Sequence, residues 1–411
     1  MTDTLRHRGP DDGDLWLDER AGIALGHRRL SIVDLSVEGR QPMISGCGRY
    51  VTTFNGEIYN FPDLRSELSA RGHSFRGGSD TEVMLAAFTQ WGVVPALERL
   101  NGMFAFAVWD RERRILHLAR DRLGEKPLYY GRIGGTFAFA SELKALRALP
   151  GFHASVDRDA LAMMLRNRYI PSPRSIYQGI AKLPPGTHLT VASRGLDPQP
   201  VKYWSAVEVA ARGLDEPLQV DAEAAVEMID GLLRDAVKLR MTADVPLGAF
   251  LSGGVDSSIV AALMQAQSTS PIRTFTVGLA DAGYDESADA RAVAHHLGTD
   301  HAEVRVSPRE ALDVIPRLPA MFDEPFCDSS QVPTFLVSRF ARRQVTVALS
   351  GDGGDELFGG YNRYAWLASV WRRIGWLPPA LRRGVGTALR SVSPGAWESM
   401  FRAAGGTLPR W

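Results

Sequence analysis

The stretch Leu251-Ser252-Gly253-Gly254-Val255-Asp256-Ser257-Ser258 decides how this 411-residue chain is read. Residues 245–251 read as a buried-type strand, although Pro246 argues against a strand at its very start. Residues 259–265 continue as a helix. A strand-to-helix turn of this composition suits an anion. Two adjacent glycines let the backbone approach a bulky ligand and turn N–H groups inward. The helix that starts near Ser257 adds its positive end. Ser252, Ser257 and Ser258 supply hydroxyl donors. Asp256 would repel phosphate directly, so its sensible role is to hold a magnesium ion that bridges phosphates. The Walker pattern Gly-x-x-x-x-Gly-Lys-Ser/Thr is absent. Gly-Gly alone is as well explained by a tight turn of small residues; the full Ser-Gly-Gly-x-Asp-Ser run is not.

Outward from this loop, strands and helices alternate. Residues 225–237 carry an amphipathic helix, 273–279 a strand, and Asp285 caps a helix that Gly298 stops after Leu297. Residues 304–306 and 345–349 supply further strands. Such alternation predicts an α/β fold, here a doubly wound, mostly parallel sheet with helices on both faces. A second glycine-rich loop, Leu349-Ser350-Gly351-Asp352-Gly353-Gly354-Asp355-Glu356, follows the last strand. Ligands of open α/β sheets sit beyond the carboxyl ends of strands, where both loops leave. Three carboxylates near an expected phosphate site point to magnesium; the plainer reading is a solvated acidic turn.

The texture changes near residue 205. Earlier, short β-branched and aromatic runs at 50–54, 103–109, 115–119 and 136–140 alternate with turns. A helix sits among them: Ser79 or Asp80 can cap it, Val83, Met84, Ala87, Phe88 and Trp91 recur at three- and four-residue steps, and Gly92 ends it. The expectation is a layered α+β domain over 1–206, a linker over 207–221 without clear period, and the parallel-sheet domain over 222–411.

Forty-seven Lys+Arg balance forty-seven Asp+Glu, so no basic excess invites nucleic acid. Cys47 and Cys327 are the only cysteines and lie far apart, which fits a reducing cytoplasm better than a disulfide scaffold. No run reaches the roughly 18 apolar residues of a membrane span. A homodimer is left open.

The loop at 251–258 resembles the pyrophosphate loop of the ATP pyrophosphatases, which adenylate a carboxylate or amide-like oxygen. The loop at 349–361 resembles the second nucleotide loop of asparagine synthetases. By that resemblance, the backbone of Leu251 and Val277 contacts adenine, Ser350 and Gly351 contact the ribose and phosphate region, and Asp352 supports formation of an aspartyl adenylate. The family often has Glu at that position. Ser252, Gly253, Gly254, Asp256, Ser257 and Ser258 would cradle the phosphates of ATP, and Asp256 and Asp355 would hold Mg2+. The segments Asp323-Glu324-Pro325-Phe326 and Asp328-Ser329-Ser330 resemble the one that closes over the nucleotide.

Four further runs, Arg6-His7-Arg8-Gly9-Pro10-Asp11, residues 27–34, residues 54–60 and Gly78-Ser79-Asp80-Thr81-Glu82, resemble in this order the N-terminal-nucleophile glutamine amidotransferase domain fused to asparagine synthetases. The residue types suit free glutamine. Arg29 can grip its carboxylate through two parallel hydrogen bonds. Asp80 and Glu57 can pair with its ammonium. The Asn55 side chain and the Gly56 N–H can form an oxyanion hole. The resemblance adds Leu30, Ser31, Ile32 and Val33 to the glutamine site, and implies a layered α/β/β/α amidotransferase domain missing its first strand. Alone, Asn55-Gly56 would read as a hairpin turn, and Arg29 and Asp80 as a surface charge and a helix cap.

The family's nucleophile is a Cys about two dozen residues before the Arg-His-Arg-Gly-Pro run, and no Cys precedes Arg6 here. Thr2 lies too close to that run to replace it, and Cys47 reads as an incidental thiol. The family's Arg-x-Pro-Phe-Leu-Asp segment and downstream Lys are not found after Tyr361, and residues 365–411 read as helix followed by a Pro/Gly/Arg-rich tail. The expectation is a chain short at both ends, with no glutamine hydrolysis by this chain as written. The implied function is ATP-dependent synthesis of asparagine from aspartate with glutamine as nitrogen donor. Two alternatives stay open: a related amidotransferase acting on another carboxylate, of a cell-surface sugar or a peptide, and a non-catalytic remnant.

Overall fold

Period-two alternation builds the first half. The computed structural model describes residues 1–192, 198–279 and 286–403. In the strand Tyr50–Ile58, Tyr50, Phe54 and Ile58 pack into one core and Val51 into another. This strand lies inside a six-stranded antiparallel sheet. Its order is Val201–Lys202, Thr187–Ala192, Ile115–Arg120, Gly102–Asp110, Tyr50–Ile58, Met43–Ile44. One face carries the helices Phe61–Ala70, Asp80–Trp91 and Val93–Arg99 over a core that includes Phe88, Phe104 and Phe106. The other face packs Ala105, Trp109 and Leu118 against Leu25 and against Leu128, Phe137 and Phe139 of a second layer. That layer holds the antiparallel strands Thr136–Ala140, Tyr129–Ile133 and Ile180–Lys182. The helices Leu143–Arg147 and Arg158–Asn167 cover its far side through Leu143, Leu146 and Ala160. A hairpin, Asp12–Asp18 with Ile23–Arg29, forms a separate two-stranded sheet. The four layers are helix, sheet, sheet and helix, the order that the resemblance to the amidotransferase domain implies.

The later strands form a four-stranded parallel sheet in the order Asp300–Val306, Arg273–Leu279, Leu247–Phe250, Val347–Leu349. Alternate residues again choose the face. Ala249 and Leu251 pack with Val237, Ala261 and Ala290 of the helices Ala222–Arg240, Val255–Ala266 and Ser287–Leu297. Phe250 and Phe275 pack with Val337, Phe340 and Ala341 of the helix Gln331–Ala341 on the opposite side. The sheet is doubly wound. Its direction of growth reverses between Leu247–Phe250 and Val347–Leu349.

Some local expectations change. The strand after Pro246 begins at Leu247, because a proline N cannot join the ladder. Residues within 207–221 are not irregular: Ala206–Asp215 is a helix capped by Ser205, whose side chain accepts from Glu208 N, and it buries no residue. Its apolar residues Val207, Ala210, Ala211 and Leu214 do recur at three- and four-residue steps, but the stripe is short and lies exposed. Asp285 lies outside the described residues, and the helix Ser287–Leu297 ends at Gly298 in the left-handed region, φ 70°.

The chain forms two compact units, Met1–Ser350 and Gly351–Trp411. The second contains the helices Gly354–Phe358, Asn362–Ile374, Pro379–Ser391 and Pro394–Ala403. The Arg382 guanidinium lies 4.7 Å from the Trp371 ring centroid and ties two of them together. The arginine-rich part of the tail is therefore helical.

Candidate functional site

The first site follows from the face that Asn55 and Glu57 share. Residues 55–57 lie within the strand Tyr50–Ile58, so Asn55-Gly56 is not a hairpin turn. Gly56 pairs with Phe104, and a Cβ on Gly56 would sit 2.1 Å from the Met103 carbonyl oxygen. Glycine is required there for close approach of the neighbouring strand, which is what the turn reading overlooked. The residues of odd number alternate to the side opposite the helices. There they meet a cavity of about 660 Å³.

Arg29, Leu30, Ile32, Val33, Asn55, Gly56, Glu57 and Asp80 all line this cavity. Ser31 does not; its backbone N donates to the Asp11 carboxylate at 2.9 Å. Arg29 is buried, and its guanidinium donates to the carbonyls of Ser36, at 3.0 Å, and Asp34. The 31–39 loop thus holds the guanidinium in place. That loop is fixed in turn by Asp34, whose carboxylate accepts from Ser36 and from Gly78 N. Asp80 is buried, and its carboxylate accepts from Ile58 N at 2.9 Å, which pins the start of the helix Asp80–Trp91 onto the end of the strand. The cap of that helix is Ser79, not Asp80: Ser79 accepts from Glu82 N at 3.3 Å, and Asp80 is left to face the cavity.

Two polar atoms at this cavity are buried without a hydrogen-bond partner, Asn55 Nδ2 and Glu57 Oε1. A donor and an acceptor left unpaired on one strand face are costly unless a ligand satisfies them. Burial, then the nearby Asp80 charge, pushes the Glu57 carboxyl up to about 7. Burial pushes Asp80 up to about 6 against the hydrogen bond from Ile58 N. Near pH 6.5 the two carboxyls of the empty cavity therefore share about one proton, held mostly by Glu57, and either can ionise to pair with a cation. Motif reading missed three further walls of the cavity: Arg8, His27 and Lys126. His27 approaches Thr53 Oγ1 at 3.2 Å, and burial lowers its ring to about 4, so it is neutral. Their runs were visible, but only the packing of the two sheets brings these side chains to the cavity.

The second site gathers at the carboxyl ends of parallel strands. Gly253 has φ +82°, and a Cβ there would lie 2.7 Å from Ala290 N. The loop is thus pressed against the first turns of the helix Ser287–Leu297. Within it, Ser252 N and Oγ meet Ser257 Oγ at 3.2 and 3.0 Å, Gly254 N donates to Ser252 Oγ at 3.2 Å, and Ser257 Oγ donates to the Gly254 carbonyl at 3.2 Å. This folded serine loop opens the helix Val255–Ala266, with Asp256 in its first turn. Ser258 Oγ is buried without a partner. Leu251 N donates to Phe275 O at 3.0 Å, and Val277 lies two residues on in the same neighbouring strand, near its carboxyl end at Leu279. Ser350 directly follows the strand Val347–Leu349, whose Leu349 is paired with Ala249. Leu251 to Ser258, Val277 and Ser350 therefore crowd the ends of three adjacent strands, where the sheet reverses direction. Gly351, Asp352 and Asp355 belong to the second unit, where Asp355 stands in the first turn of Gly354–Phe358. Among the described residues, no group of three His, Cys, Asp or Glu side chains forms a ready metal cage. Asp256 fits a hard cation only as one ligand beside phosphate oxygens. No helix among the described residues is long and apolar enough to cross a membrane.

Residues 1–204 match the family model of a glutamine amidotransferase domain, and residues 228–408 match that of asparagine synthase. The chain is 37% identical over 364 residues to asparagine synthetase [glutamine-hydrolyzing] 1 of Bacillus subtilis, covering 89% of this chain and 55% of that protein. It is 39% identical over 403 residues to a putative asparagine synthetase [glutamine-hydrolyzing] of Mycobacterium tuberculosis, covering 95% and 60%. It is 36% identical over 380 residues to putative asparagine synthetase [glutamine-hydrolyzing] 2 of Methanocaldococcus jannaschii, covering 88% and 72%. The chain thus spans little more than half the length of the first two.

Proposed function

Because the chain belongs to the family of glutamine-hydrolysing asparagine synthetases, we propose that it serves ATP-dependent amide synthesis, with glutamine as nitrogen donor and the β-carboxylate of aspartate as acceptor. The observation that carries the proposal is the cavity where Arg29, Asp80 and the unpaired Asn55 and Glu57 atoms face one space. Arg29 among the cavity's cations, two raised carboxyls, one unpaired amide donor and one backbone N–H are the complement of an amino acid with a side-chain amide. Arg29 takes the carboxylate, Glu57 and Asp80 the ammonium, and Asn55 Nδ2 with Gly56 N–H the amide oxygen as it gains charge. Ile32 and Val33 add wall on the same side.

The second half activates the acceptor. ATP would bind with its triphosphate on the Ser252–Ser258 loop, where Asp256 would hold the accompanying magnesium ion and shield the phosphate charge; the family pattern assigns Asp355 a like role. The acid's oxygen attacks the α-phosphorus and pyrophosphate leaves. Ammonia then attacks the acyl carbon, and AMP leaves; releasing that ammonia from glutamine takes the family's Cys nucleophile, and no Cys lines the cavity, so free ammonia is the donor this chain can use as written. The family assigns adenine to Leu251 and Val277, ribose and phosphate to Ser350 and Gly351, and support of the adenylate to Asp352. The domains in this reading are 1–206 for glutamine and 222–411 for ATP. Exchange of labelled pyrophosphate into ATP, run with aspartate against other carboxylic acids, tests the acceptor. Exchange that depends on aspartate supports the reading; exchange with a different acid, or none with any, overturns it.

The raised carboxyls make a separate prediction. Their folded values lie above the ordinary carboxyl values of 4.5 for Glu57 and 3.8 for Asp80. In the empty protein their contribution to stability is full below those values and is lost as pH rises through about 6 and about 7. Pairing with the glutamine ammonium favours the charged forms, so glutamine binding at pH 6.5 should release about one proton. Calorimetry in buffers of different ionisation enthalpy reads this directly. Glu57→Gln should remove most of the release, and release of no proton by the unaltered chain would falsify the assignment.

A further inference from the structure

Asp323 and Glu324 direct their carboxylates at the N-terminal half. The Glu324 carboxylate accepts from Ile176 N at 2.7 Å and from the Tyr129 hydroxyl at 3.2 Å, and it lies 2.5 Å from Lys182 Nζ. Asp323 accepts from Lys144 N at 2.9 Å, with Lys144 Nζ at 3.5 Å. The two carboxylate side chains are only 10% and 11% exposed. Four residues on, Cys327 N donates to Arg168 O at 2.7 Å. A carboxylate enclosed by three donors has little capacity left for another ligand. The nucleotide is therefore served from elsewhere on this segment, and 323–324 has a different task.

The same cluster leads back to the glutamine cavity. Lys144 Nζ also lies 2.6 Å from Glu142. Glu142 takes Arg8 Nη1 at 2.8 Å and His7 Nε2 at 3.0 Å. Burial would raise the Glu142 carboxyl, but the hydrogen bonds from Lys144, Arg8 and His7 hold it below the ordinary value. Arg8 itself lines the cavity, whereas Glu142 and Lys144 do not. Lys144 is thus an ammonium shared between Glu142, whose other partner is a cavity wall, and Asp323, which anchors a segment of the parallel-sheet half. A charged ligand that draws Arg8 off Glu142 leaves that carboxylate with fewer donors and pulls Lys144 toward it, away from Asp323.

We propose that Asp323 and Glu324 are positioning residues that latch segment 323–330 to the N-terminal half, and that the chain Arg8–Glu142–Lys144–Asp323 couples filling of the glutamine cavity to nucleotide binding. The coupling rests on the glutamine and ATP sites assigned above; the latch does not.

Calorimetric titration of the full chain with magnesium ATP, with and without saturating glutamine and with no acceptor acid present, measures the coupling. Glutamine should change the ATP dissociation constant by about 5- to 20-fold, and the reciprocal titration should show the same factor. In Lys144→Met the factor should fall to about one while each ligand alone binds within about twofold of the unaltered chain; Lys144→Arg should restore part of it. A purely structural role for Lys144 would weaken folding without erasing this factor selectively. A factor of one in the unaltered chain with both ligands bound, or an undiminished factor in Lys144→Met, overturns the coupling alone. Failure of glutamine or ATP to bind at all overturns the proposed function and the coupling with it. The latch has its own readout without ligand. Glu324→Gln should speed hydrogen exchange at Ile176 N and across 323–327 while exchange in the six-stranded sheet stays unchanged. Equal exchange in the two proteins overturns the latch.

Discussion

Gly253→Ala should abolish ATP binding while the N-terminal half stays folded. At φ +82° an alanine is in the left-handed region, which costs about 1–2 kcal/mol by itself. Its Cβ would also lie 2.7 Å from both Ala290 N and Asp289 Cβ, and neither is the far end of a flexible side chain. The loop must lift off the helix Ser287–Leu297, and with it move the Ser252–Ser257 hydrogen bonds that shape the cradle. Overpacking of this kind adds about 1–3 kcal/mol. The sum predicts a loss of affinity of roughly 100-fold or more, since each 1.4 kcal/mol is tenfold. Calorimetry with magnesium ATP checks it. The core around Phe88 and Phe106 is remote from this loop, so near-ultraviolet dichroism should keep most of its aromatic signal. ATP affinity within threefold of the unaltered chain would remove the loop from the nucleotide site.

Arg29→Ala should abolish glutamine binding and destabilise the N-terminal half as well. The guanidinium is 7% exposed and donates to the Ser36 and Asp34 carbonyls. Its loss leaves those acceptors without their donor, at about 1–3 kcal/mol each where they remain buried. It also removes the one buried cation that can pair with a substrate carboxylate in the proposed pose, and a bidentate pair of that kind is among the stronger polar contacts. Arg29→Lys separates the two effects. Lysine keeps the charge but not the planar fork. It should recover much of the thermal stability and still bind glutamine at least about tenfold more weakly, a difference of some 1.4 kcal/mol. Thermal unfolding and glutamine calorimetry on both variants provide the check. Normal binding in Arg29→Lys would mean that charge, not geometry, recognises the ligand.

Recognition of the elements from the chain alone succeeded where one face is buried. The strand Arg273–Leu279 and the helix Asp80–Trp91 carry strong periodic patterns, with Gly92 at φ 85° marking the end of the helix. It failed where an element buries nothing or where a neighbouring element overrides local composition. Ala206–Asp215 is a helix that buries nothing. Asn55-Gly56 has the composition of a turn, yet the neighbouring strand Gly102–Asp110 holds it extended. Ser79 and Asp80 were equivalent as caps until the bond from Ile58 N committed Asp80 elsewhere. Of the expected glutamine residues, Ser31 alone stays off the cavity, because a backbone bond to Asp11 turns that position of the loop another way.

The sequence by itself determined the fold class, the two glycine-rich turns and the polar residue types of the cavity in the first half, because these depend on short-range sterics, periodicity and side-chain chemistry. Only the tertiary structure decided that Asn55 and Glu57 are left unpaired at a shared cavity, that Arg8, His27 and Lys126 line it, and that Asp323 and Glu324 turn toward Lys144 and Lys182. Those facts depend on which distant surfaces are packed together, and burial against a partner more than a hundred residues away leaves no local pattern in the chain.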